Sequence, residues 1–370
     1  MSDSKKNQCN SKTILYIGGF QLPDKNAAAL RVMANAKAFR ACGYRVVFIN
    51  ALADTDLQSA RWTQYEDFEC YEYKREPQKQ YLLRCDKIVS LINKIHANIV
   101  VAYNHPAIAL NCLRKYCQKH GVRCIADATE WYMPTGNTLF RLIKGFDTEF
   151  RMRYVQSRMD GVIAISEYLY QYYKDKVKTI KVPPLVDLDE KKWKVSADKK
   201  HDGIKLIYAG SPSAQKEKLD VIVDAVEKLD PSVQAHLDVV GVTEEQFNSM
   251  YGCKYNGNRC SFWGRVPNTQ VIKMTKEADW TIILRENNKV VKAGFPTKVV
   301  ESISCGTPVI ANKFSNIEEY LTRNDGILFD NIEKFDEVLF YTIQKGKIET
   351  TRKDIFHYNR FIEDMRKICG

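Results

Sequence analysis

The chain has 370 residues, of which 45% are hydrophobic and 27% charged, and it carries a formal net charge of +11. This length suits two α/β domains better than one, and the composition excludes an intrinsically disordered chain. No stretch approaches the roughly 20 uninterrupted apolar residues of a membrane-spanning helix, and the amino terminus lacks the apolar run of a signal peptide. The eleven cysteines include no Cys-x-x-Cys pair, so we expect free thiols in a reducing cytoplasm.

The excess positive charge lies in the first half of the chain. Residues 1–185 carry 28 basic and 17 acidic side chains, whereas residues 186–370 carry 28 of each. A basic half indicates an anionic partner such as a phospholipid, a lipid diphosphate or a nucleic acid, and the alternative is a solvated basic surface without a partner.

Short β-branched runs alternate with longer helical segments in the first half, which is the pattern of a parallel α/β sheet. The runs are apolar throughout, so the strands are expected to be covered on both faces. The predicted strands are residues 13–17, 45–49, 98–102, 123–126 and 161–165.

The first predicted strand ends at Gly18 and Gly19, and a helix is predicted from Ala27 to Phe39. Two glycines without Cβ atoms let a ligand approach the backbone, and a helix start behind them favours an anion. We therefore expect Gly18 and Gly19 to contact a phosphorylated ligand, with a plain tight turn as the alternative.

Polar side chains follow two further strands of the first half. His105 comes after the strand 98–102, and Asp127 and Glu130 come after the strand 123–126. Ligands bind at the carboxyl ends of the strands of open α/β sheets. His105 is a candidate for binding a sugar hydroxyl, or a structural histidine, and Asp127 and Glu130 are candidates for acceptor binding or general-base catalysis.

Residues 139–146 and 150–155 interleave bulky apolar side chains with arginine and lysine. A basic amphipathic helix can lie in the headgroup region of an anionic membrane. The alternative is an ordinary helix that packs its apolar face on the sheet.

A proline-containing, charged stretch over residues 186–203 predicts an interdomain linker. The α/β rhythm then restarts, with strands predicted at residues 204–208, 237–240, 261–263, 280–284, 308–311 and 327–329. We thus expect a first domain at 1–185, a second at 204–350, and a helical segment at 351–370 that returns to the first domain. The fold class is α/β, with two facing Rossmann-like domains and a deep cleft between them.

The densest cluster of motifs lies at residues 285–301. Pro296 suits the first turn of a helix, so the backbone N–H groups of Thr297 and Lys298 are expected to face an anion. Glu301 follows about one turn later, where its carboxylate can accept two ribose hydroxyls; the alternative is one more solvated helix carboxylate.

The order of these motifs resembles the family-4-type glycosyltransferases of bacterial capsule, O-antigen and exopolysaccharide pathways, which have the GT-B fold. The resemblance runs from about residue 14 to residue 321. It rests on GGFQLPDKNAAALR (18–31), DATEWY (127–132), VIAISEYLYQYY (162–173), VPPLVD (182–187), YAGSP (208–212) and, above all, AGFPTKVVESISCGTPVIAN (293–312).

The resemblance implies a retaining enzyme that binds a UDP- or GDP-linked sugar in the second domain and its acceptor in the first, without a catalytic metal or other cofactor. By position, Glu301 should hold the ribose and Lys216 the diphosphate, while the turn at 294–298 should hold the donor sugar and phosphates. His105 is similar to the family's crevice histidine. The chain departs from the family pattern at Ala293, which replaces a glutamate, and at Ser211, near the place of a phosphate-binding arginine for which Arg285 is a candidate substitute.

Together these inferences predict transfer of a sugar from a nucleotide-diphosphate donor to a lipid-linked or oligosaccharide acceptor at the cytoplasmic face of the membrane. The predicted catalytic residues are His105, Asp127 and Glu130. The predicted donor-binding residues are Gly18, Gly19, Gly210, Ser211, Lys216, Arg285, Gly294, Phe295, Pro296, Thr297, Lys298 and Glu301.

Two alternatives stay open at this point. One is a GT-B-like nucleotide-sugar epimerase, which would release a free monosaccharide without an acceptor. The other is a non-enzymatic basic scaffold on a membrane or nucleic acid, although no interleaved aromatic and basic nucleic-acid motif is present, so nucleic acid is not expected as a partner.

Overall fold

The structure of the chain is a computed structural model, and it describes residues 12–52, 55–134, 136–212 and 216–370. The polar amino-terminal segment from which we expect no signal peptide lies outside the described residues. The chain divides into two compact units, Met1–Leu185 with Tyr358–Gly370, and Val186–His357. The first boundary between the units falls at Leu185–Val186, and residues 186–203 belong to the second unit.

The first unit is built on an eight-stranded sheet in the order β3-β4-β2-β1-β5-β6-β7-β8. All neighbours pair in parallel except β3 and β4, which form an antiparallel edge. The strands are β1 (Thr13–Gly18), β2 (Arg45–Leu52), β3 (Arg61–Tyr65), β4 (Phe68–Lys74), β5 (Ile99–Tyr103), β6 (Arg123–Ala128), β7 (Gly161–Ala164) and β8 (Thr179–Lys181). The helices are α1 (Ala27–Ala41), α2 (Gln78–Leu83), α3 (Asp86–Ile95), α4 (Ala107–Lys119), α5 (Thr138–Phe150) and α6 (Glu167–Tyr173).

The second unit has a six-stranded parallel sheet in the order β11-β10-β9-β12-β13-β14. Its strands are β9 (Ile204–Ala209), β10 (Ala235–Val240), β11 (Cys260–Gly264), β12 (Trp280–Ile283), β13 (Val309–Asn312) and β14 (Gly326–Phe329). Its helices are α7 (Leu219–Glu227), α8 (Glu244–Tyr251), α9 (Asn268–Glu277), α10 (Lys289–Ala293), α11 (Thr297–Cys305) and α12 (Phe335–Lys345).

The last helix, α13 (Ile362–Cys369), returns to the first unit, as the sequence predicts. Met365, Ile368 and Cys369 join the apolar core under β1 and α1. The guanidinium of Arg123 donates to the carbonyl oxygens of Ile368 and Cys369. This contact satisfies carbonyls that the end of a helix leaves without partners, so it anchors α13 to the sheet.

The predicted strands are all present, and the α/β class with two Rossmann-like domains is confirmed. The sequence analysis predicted no strand at β3, β4 or β8. The β3–β4 hairpin turns at Glu66 and Asp67, both with positive φ (47° and 66°), where the usual asparagine or glycine signal is absent. Its alternating polar residues are typical of an exposed edge, not of a strand buried on both faces.

Helix α5 does not pack its apolar face on the sheet. Leu139, Phe140, Leu142, Ile143 and Phe146 are all exposed, and Thr148 is the residue of this helix that is buried. Arg151, by contrast, was expected among the surface cations and is buried in the π-helical turn that follows α5. No helix in the described part of the chain is long and apolar enough to cross a membrane.

Candidate functional site

Three glycines end neighbouring strands of the second sheet. Gly210, Gly241 and Gly264 follow or close β9, β10 and β11, and their φ angles are +143°, +107° and +61°. A Cβ on Gly210 would lie 2.1 Å from Cε of Lys298, and one on Gly241 would lie 2.4 Å from the carbonyl oxygen of Gly210. The strand ends are therefore bare backbone at the edge where α/β sheets bind ligands. Ser211, the next residue, is exposed.

Lys298, the second residue of α11, is the centre of a buried polar cluster. Its ammonium donates hydrogen bonds to both carboxylate oxygens of Glu217, at 2.7 Å each, and to the hydroxyl of Tyr208 at 2.6 Å. Arg285 donates from Nη2 to the same carboxylate at 2.7 Å, and the Tyr208 hydroxyl donates to it as well. These four side chains, Tyr208, Glu217, Arg285 and Lys298, are called the Lys298 cluster below.

The Lys298 cluster holds two cations against one carboxylate. Burial by itself raises the pKa of Glu217, but the charges of Lys298 and Arg285 outweigh it and lower this pKa to about 2. Burial lowers the pKa of Lys298 to about 8, although Glu217 opposes the shift. Glu217 is therefore ionised at neutral pH, and the cluster carries net positive charge. Nε of Arg285 is buried and has no hydrogen-bond partner among the described residues.

Glu301 lies one helical turn after Thr297 and is half-buried. No hydrogen bond to its carboxylate is found within the described residues. Burial raises the pKa of Glu301, and the charges of Lys192 and Lys298 oppose that shift. A carboxylate in this position is available to accept hydrogen bonds from a ligand, in contrast to Glu217.

The loop before α11 is fixed from behind by an aromatic contact. Phe295 is buried and packs edge-on against Tyr320 and Phe356, with ring centroids 5.4 and 5.9 Å apart. The hydroxyl of Ser315 donates to the carbonyl oxygen of Gly294 at 2.5 Å. Pro296 is buried, whereas Thr297 is half-buried. The side chain of Phe295, predicted to bind the donor, thus serves to hold the loop.

Lys216 lies at the start of the segment that leads into α7. The residue is half-buried, and it has no ion pair within the described residues. Its carbonyl oxygen accepts a hydrogen bond from the N–H of Glu286 at 3.1 Å, and Glu217 forms a bridge with Arg285 beside it. The two segments predicted to bind the diphosphate are therefore joined through their backbones.

In the first unit, Asp127 is fully buried and has no free oxygen to offer a substrate. Arg31 binds it through two nitrogens, at 2.7 and 2.9 Å, and the hydroxyl of Tyr16 donates to it at 2.5 Å. Arg31 also donates to the carbonyl oxygens of Val182 and Pro183. The expectation that Asp127 acts as a base is corrected by this geometry: the carboxylate joins β1, α1, β6 and the segment after β8.

His105 is buried, and neither ring nitrogen has a hydrogen-bond partner among the described residues. Burial, together with the nearby charge of Arg151, lowers the pKa of His105 to about 4. The imidazole is therefore neutral at pH 7 and suited to hydrogen bonding rather than to carrying a proton. Its ring meets the edge of Tyr81, with centroids 5.7 Å apart.

Glu130 is half-buried, and one of its carboxylate oxygens is buried without a partner in the described part of the chain. Burial raises the pKa of Tyr132, and the negative charge of Glu130 adds to that shift. Gly18 and Gly19 lie in this same first unit, and the other predicted donor residues lie in the second. A Cβ on Gly18 would lie 2.6 Å from the carbonyl oxygen of Tyr103.

Comparison with known protein families finds a match in the second unit. Residues 189–350 match the family model of glycosyl transferases group 1, and these residues contain the Lys298 cluster and Glu301. No curated protein matches the chain. The chain is a glycosyltransferase.

Solved structures match the glycosyltransferase over nearly its whole length. Sucrose-phosphate synthase from Thermosynechococcus elongatus has a TM-score of 0.70 at 13% identity, covering 97% of this chain and 98% of that one. A glycosyltransferase from Rickettsia africae has 0.67 at 16% identity, with 98% and 99% covered. Anabaena HepE in complex with UDP-glucose has 0.64 at 14% identity, with 96% and 99% covered. At these identities the likeness shows the fold, which is GT-B.

Sequence reasoning missed Tyr208, Glu217 and Gly241 in this glycosyltransferase. Gly241 had a signal, because it follows an apolar strand as Gly210 does. Glu217 had no such signal, since it is one of three consecutive charged residues, Lys216 to Lys218.

A second missed group is Asp187, Asp189 and His357, whose ligand atoms lie within 4.8 Å of one another. No local spacing in the sequence indicates this group, because His357 lies far from the two aspartates along the chain. These residues lie where the chain passes between the two units, and none of the predicted site residues is among them.

Proposed function

We propose that this glycosyltransferase transfers a sugar, with retention of configuration, from a UDP- or GDP-sugar held by the second unit. The acceptor is a lipid-linked saccharide held by the first unit, and the product enters surface polysaccharide synthesis. The observation that carries the proposal is the arrangement of Lys298, Arg285 and Glu301 inside the segment that matches glycosyl transferases group 1. The bound UDP-glucose of Anabaena HepE supports a donor of this class.

Each donor residue has a chemical task in this proposal. Glu301 accepts hydrogen bonds from two ribose hydroxyls through its carboxylate, which has no hydrogen bond to the described residues. Lys298, Arg285 and Lys216 face the diphosphate, whose negative charge grows as the glycosidic bond breaks. Preorganised cations stabilise this charge without the cost of reorganising solvent. For the diphosphate to take its place, Glu217 must give up part of its contact with the two cations.

The transfer passes through an oxocarbenium-like state. The acceptor oxygen forms its bond to C1 on the face from which the diphosphate leaves, the bond from C1 to the phosphate oxygen breaks, and the acceptor proton passes to the departing phosphate. His105 and Glu130, with their unpartnered ring nitrogens and carboxylate oxygen, bind acceptor or sugar hydroxyls.

The proposal places the enzyme in the cytoplasm, docked reversibly on the inner membrane leaflet. The ten cysteines of the described chain are free, which fits a reducing compartment. The exposed apolar residues of α5 belong to the unit that carries the excess positive charge. Contiguous apolar surface of this kind often marks a membrane or protein contact.

A thermal-shift screen of nucleotide-sugars with the full chain tests the proposal. One UDP- or GDP-sugar at about 100 times its Kd should stabilise the protein by about 2.7 kcal/mol, which raises Tm by about 5 °C or more. The stabilising donor should then transfer its sugar only when acceptor is present. Release of a free monosaccharide epimer without acceptor would support an epimerase, and no stabilisation by any nucleotide-sugar would refute the proposal.

A further inference from the structure

The first unit contains a cavity of about 430 Å³ whose walls carry three cations. It opens beside Gly19 at the end of β1, and its walls include the aromatic rings of Tyr81, Tyr103 and Tyr132. The three cations are Arg75, Lys144 and Arg151.

Arg151 is a buried charge with no ion pair among the residues that the structure describes. Only 1% of it is exposed, yet Nε and Nη2 have no hydrogen-bond partner among the described residues. Nη1 donates to the carbonyl oxygen of Asn104 at 3.2 Å, and no carboxylate lies within ion-pair distance in the part of the chain that the structure describes. A buried guanidinium is costly unless an anion compensates it, and its planar donor pair matches a phosphate.

The other charges around the cavity leave it positive. Lys144 lies over the ring of Tyr132 at 5.2 Å, and Arg75 lies over the ring of Tyr81 at 5.4 Å. Among the described residues that line the cavity, Asp147 is the one acidic side chain, and its carboxylate accepts a hydrogen bond from the N–H of Ala107 at 2.8 Å. His105 is neutral at pH 7, so it neither adds to nor opposes this charge.

An apolar groove of about 690 Å³ continues from the cavity. The two spaces share Gln78, Leu82, Lys144 and Asp147 as walls. Beyond this shared boundary the groove runs between α2 and α5, and its further walls include Leu83, Ile108, Leu139, Phe140, Ile143 and Phe146. All six of these side chains are exposed.

We propose that the cavity and groove together bind the alkyl phosphate part of a lipid acceptor. The phosphate lies against Arg151, with Lys144 and Arg75 at its other oxygens, and the hydrocarbon chain lies in the groove along α5. A cationic cavity that continues into an apolar groove complements a ligand with a charged head and an apolar tail, whereas a free phosphate would leave the groove empty. This inference rests on the proposed transfer to a lipid-linked acceptor and names the group that the first unit recognises.

Binding of decyl phosphate to the full chain, measured by calorimetry below its micelle-forming concentration, tests the inference. Inorganic phosphate and decanol are the two comparison ligands, since each has one half of the chemistry. We expect decyl phosphate to bind at least tenfold more tightly than either. Equal binding of inorganic phosphate, equal binding of decanol, or no binding of decyl phosphate would overturn the proposal.

Arg151→Met should weaken the binding of decyl phosphate by at least tenfold, because a charge-assisted bidentate contact is lost. The matched control is Arg153→Met in the same helical turn, where the arginine is 62% exposed and pairs with Glu149; its affinity should stay within twofold of wild type. Wild-type affinity in a folded Arg151→Met protein contradicts the phosphate assignment.

Phe140→Ser is a second variant that does not depend on a buried site, because Phe140 is exposed. It should weaken the binding of decyl phosphate but not that of inorganic phosphate. An unchanged affinity for decyl phosphate contradicts the groove assignment. A nucleotide-sugar thermal shift on the same protein sample separates the two proposals. If the donor stabilises the protein and decyl phosphate does not bind, this inference alone fails; if no donor stabilises it, the proposed function fails.

Discussion

Glu301 and Glu217 lie close to the same lysine but differ in what they have left to offer a ligand. Both oxygens of Glu217 are taken by Lys298, while Glu301 has no hydrogen bond within the described residues. Burial raises the pKa of Glu301 and two cations lower that of Glu217. Glu301, which is half-buried and whose carboxylate has no hydrogen-bond partner among the described residues, is therefore the one assigned to the ribose.

Glu301→Ala should raise the donor KM by roughly 10- to 100-fold, since hydrogen bonds to a charged acceptor contribute about 1.5–3 kcal/mol. The free energy of unfolding should not fall, because the side chain makes no hydrogen bond to any residue that the structure describes. Steady-state kinetics and urea unfolding check both expectations. Glu318→Ala, an exposed glutamate of the same unit, is the control, and wild-type kinetics in folded Glu301→Ala would end the ribose assignment.

The lowered pKa of His105 predicts that the stability of the protein depends on pH. The folded pKa of about 4 lies below the usual value of 6.5, so the unfolded chain takes up a proton first as the pH falls. The stability that neutral His105 contributes is complete above about pH 6.5 and is lost progressively down to about pH 4, by on the order of 3 kcal/mol.

Urea unfolding of wild type and His105→Phe at several pH values between 4 and 7 measures this contribution. The loss of stability on acidification should be smaller in His105→Phe, and unchanged in His120→Phe, which replaces an exposed histidine. Parallel pH curves for wild type and His105→Phe would show that the imidazole is not held neutral by its surroundings.

At the scale of elements, Gly210 at the end of β9 lies close to Lys298 at the start of α11. Gly210 needs both a positive φ and the absence of a side chain, since a Cβ would meet Lys298 at 2.1 Å. A strand end and a helix start that approach this closely bring backbone and cations to one place. The Lys298 cluster is a consequence of that approach.

Gly210→Ala should therefore destabilise the protein by more than the backbone alone explains, and it should reduce the thermal shift given by the donor. Gly252→Ala is the matched control, because Gly252 also has positive φ (65°) but no atom within 4 Å of its added Cβ. We expect about 1–2 kcal/mol for Gly252→Ala and about 1–3 kcal/mol more for Gly210→Ala. Equal losses of unfolding free energy would contradict the close packing against Lys298.

Helix α5 is the element on which the proposed membrane docking depends. Co-sedimentation with liposomes should need anionic lipid and weaken with salt, since the attraction of basic residues is screened. Leu142→Glu changes a side chain that is 66% exposed and should abolish co-sedimentation. Tyr341→Glu changes a side chain that is 59% exposed on α12 of the second unit and should leave co-sedimentation unchanged. If the wild-type protein ignores anionic liposomes at low salt, the docking proposal is wrong while sugar transfer is unaffected.

At the scale of the whole molecule, the chain passes between its units twice, at Leu185–Val186 and at His357–Tyr358. Val186 and His357 form a parallel bridge there, and Asp187 and Asp189 lie beside the histidine. Two distant parts of the sequence meet at this crossing, which is how a group of potential ligands arises without any local spacing.

We predict that transfer does not depend on a metal, because the donor residues supply cations of their own. Activity should persist in EDTA and should be unchanged in Asp189→Asn, which removes one member of the group at the crossing. Loss of transfer in EDTA with recovery on adding Mn²⁺ or Mg²⁺ would contradict the prediction, and loss of that recovery in Asp189→Asn would locate the metal.

The sequence by itself determined the α/β class, most of the strands and the two ends of α11, because these depend on local patterns. Apolar runs mark buried strands, and proline and glycine mark the two ends of α11, at Pro296 and Gly306. These signals lie within a few residues of one another, so no knowledge of distant contacts is needed to find them.

The tertiary structure decided which charges are free and which are already paired. Glu217 meets Lys298 across 81 positions, and Asp127 meets Arg31 across 96. Nothing in a local pattern reveals such partners, so Asp127 was predicted as catalytic and Arg151 as a surface cation. Burial and pairing are properties of the packed chain, and they assign Asp127 to structure while leaving Arg151 and Glu301 ready for ligands.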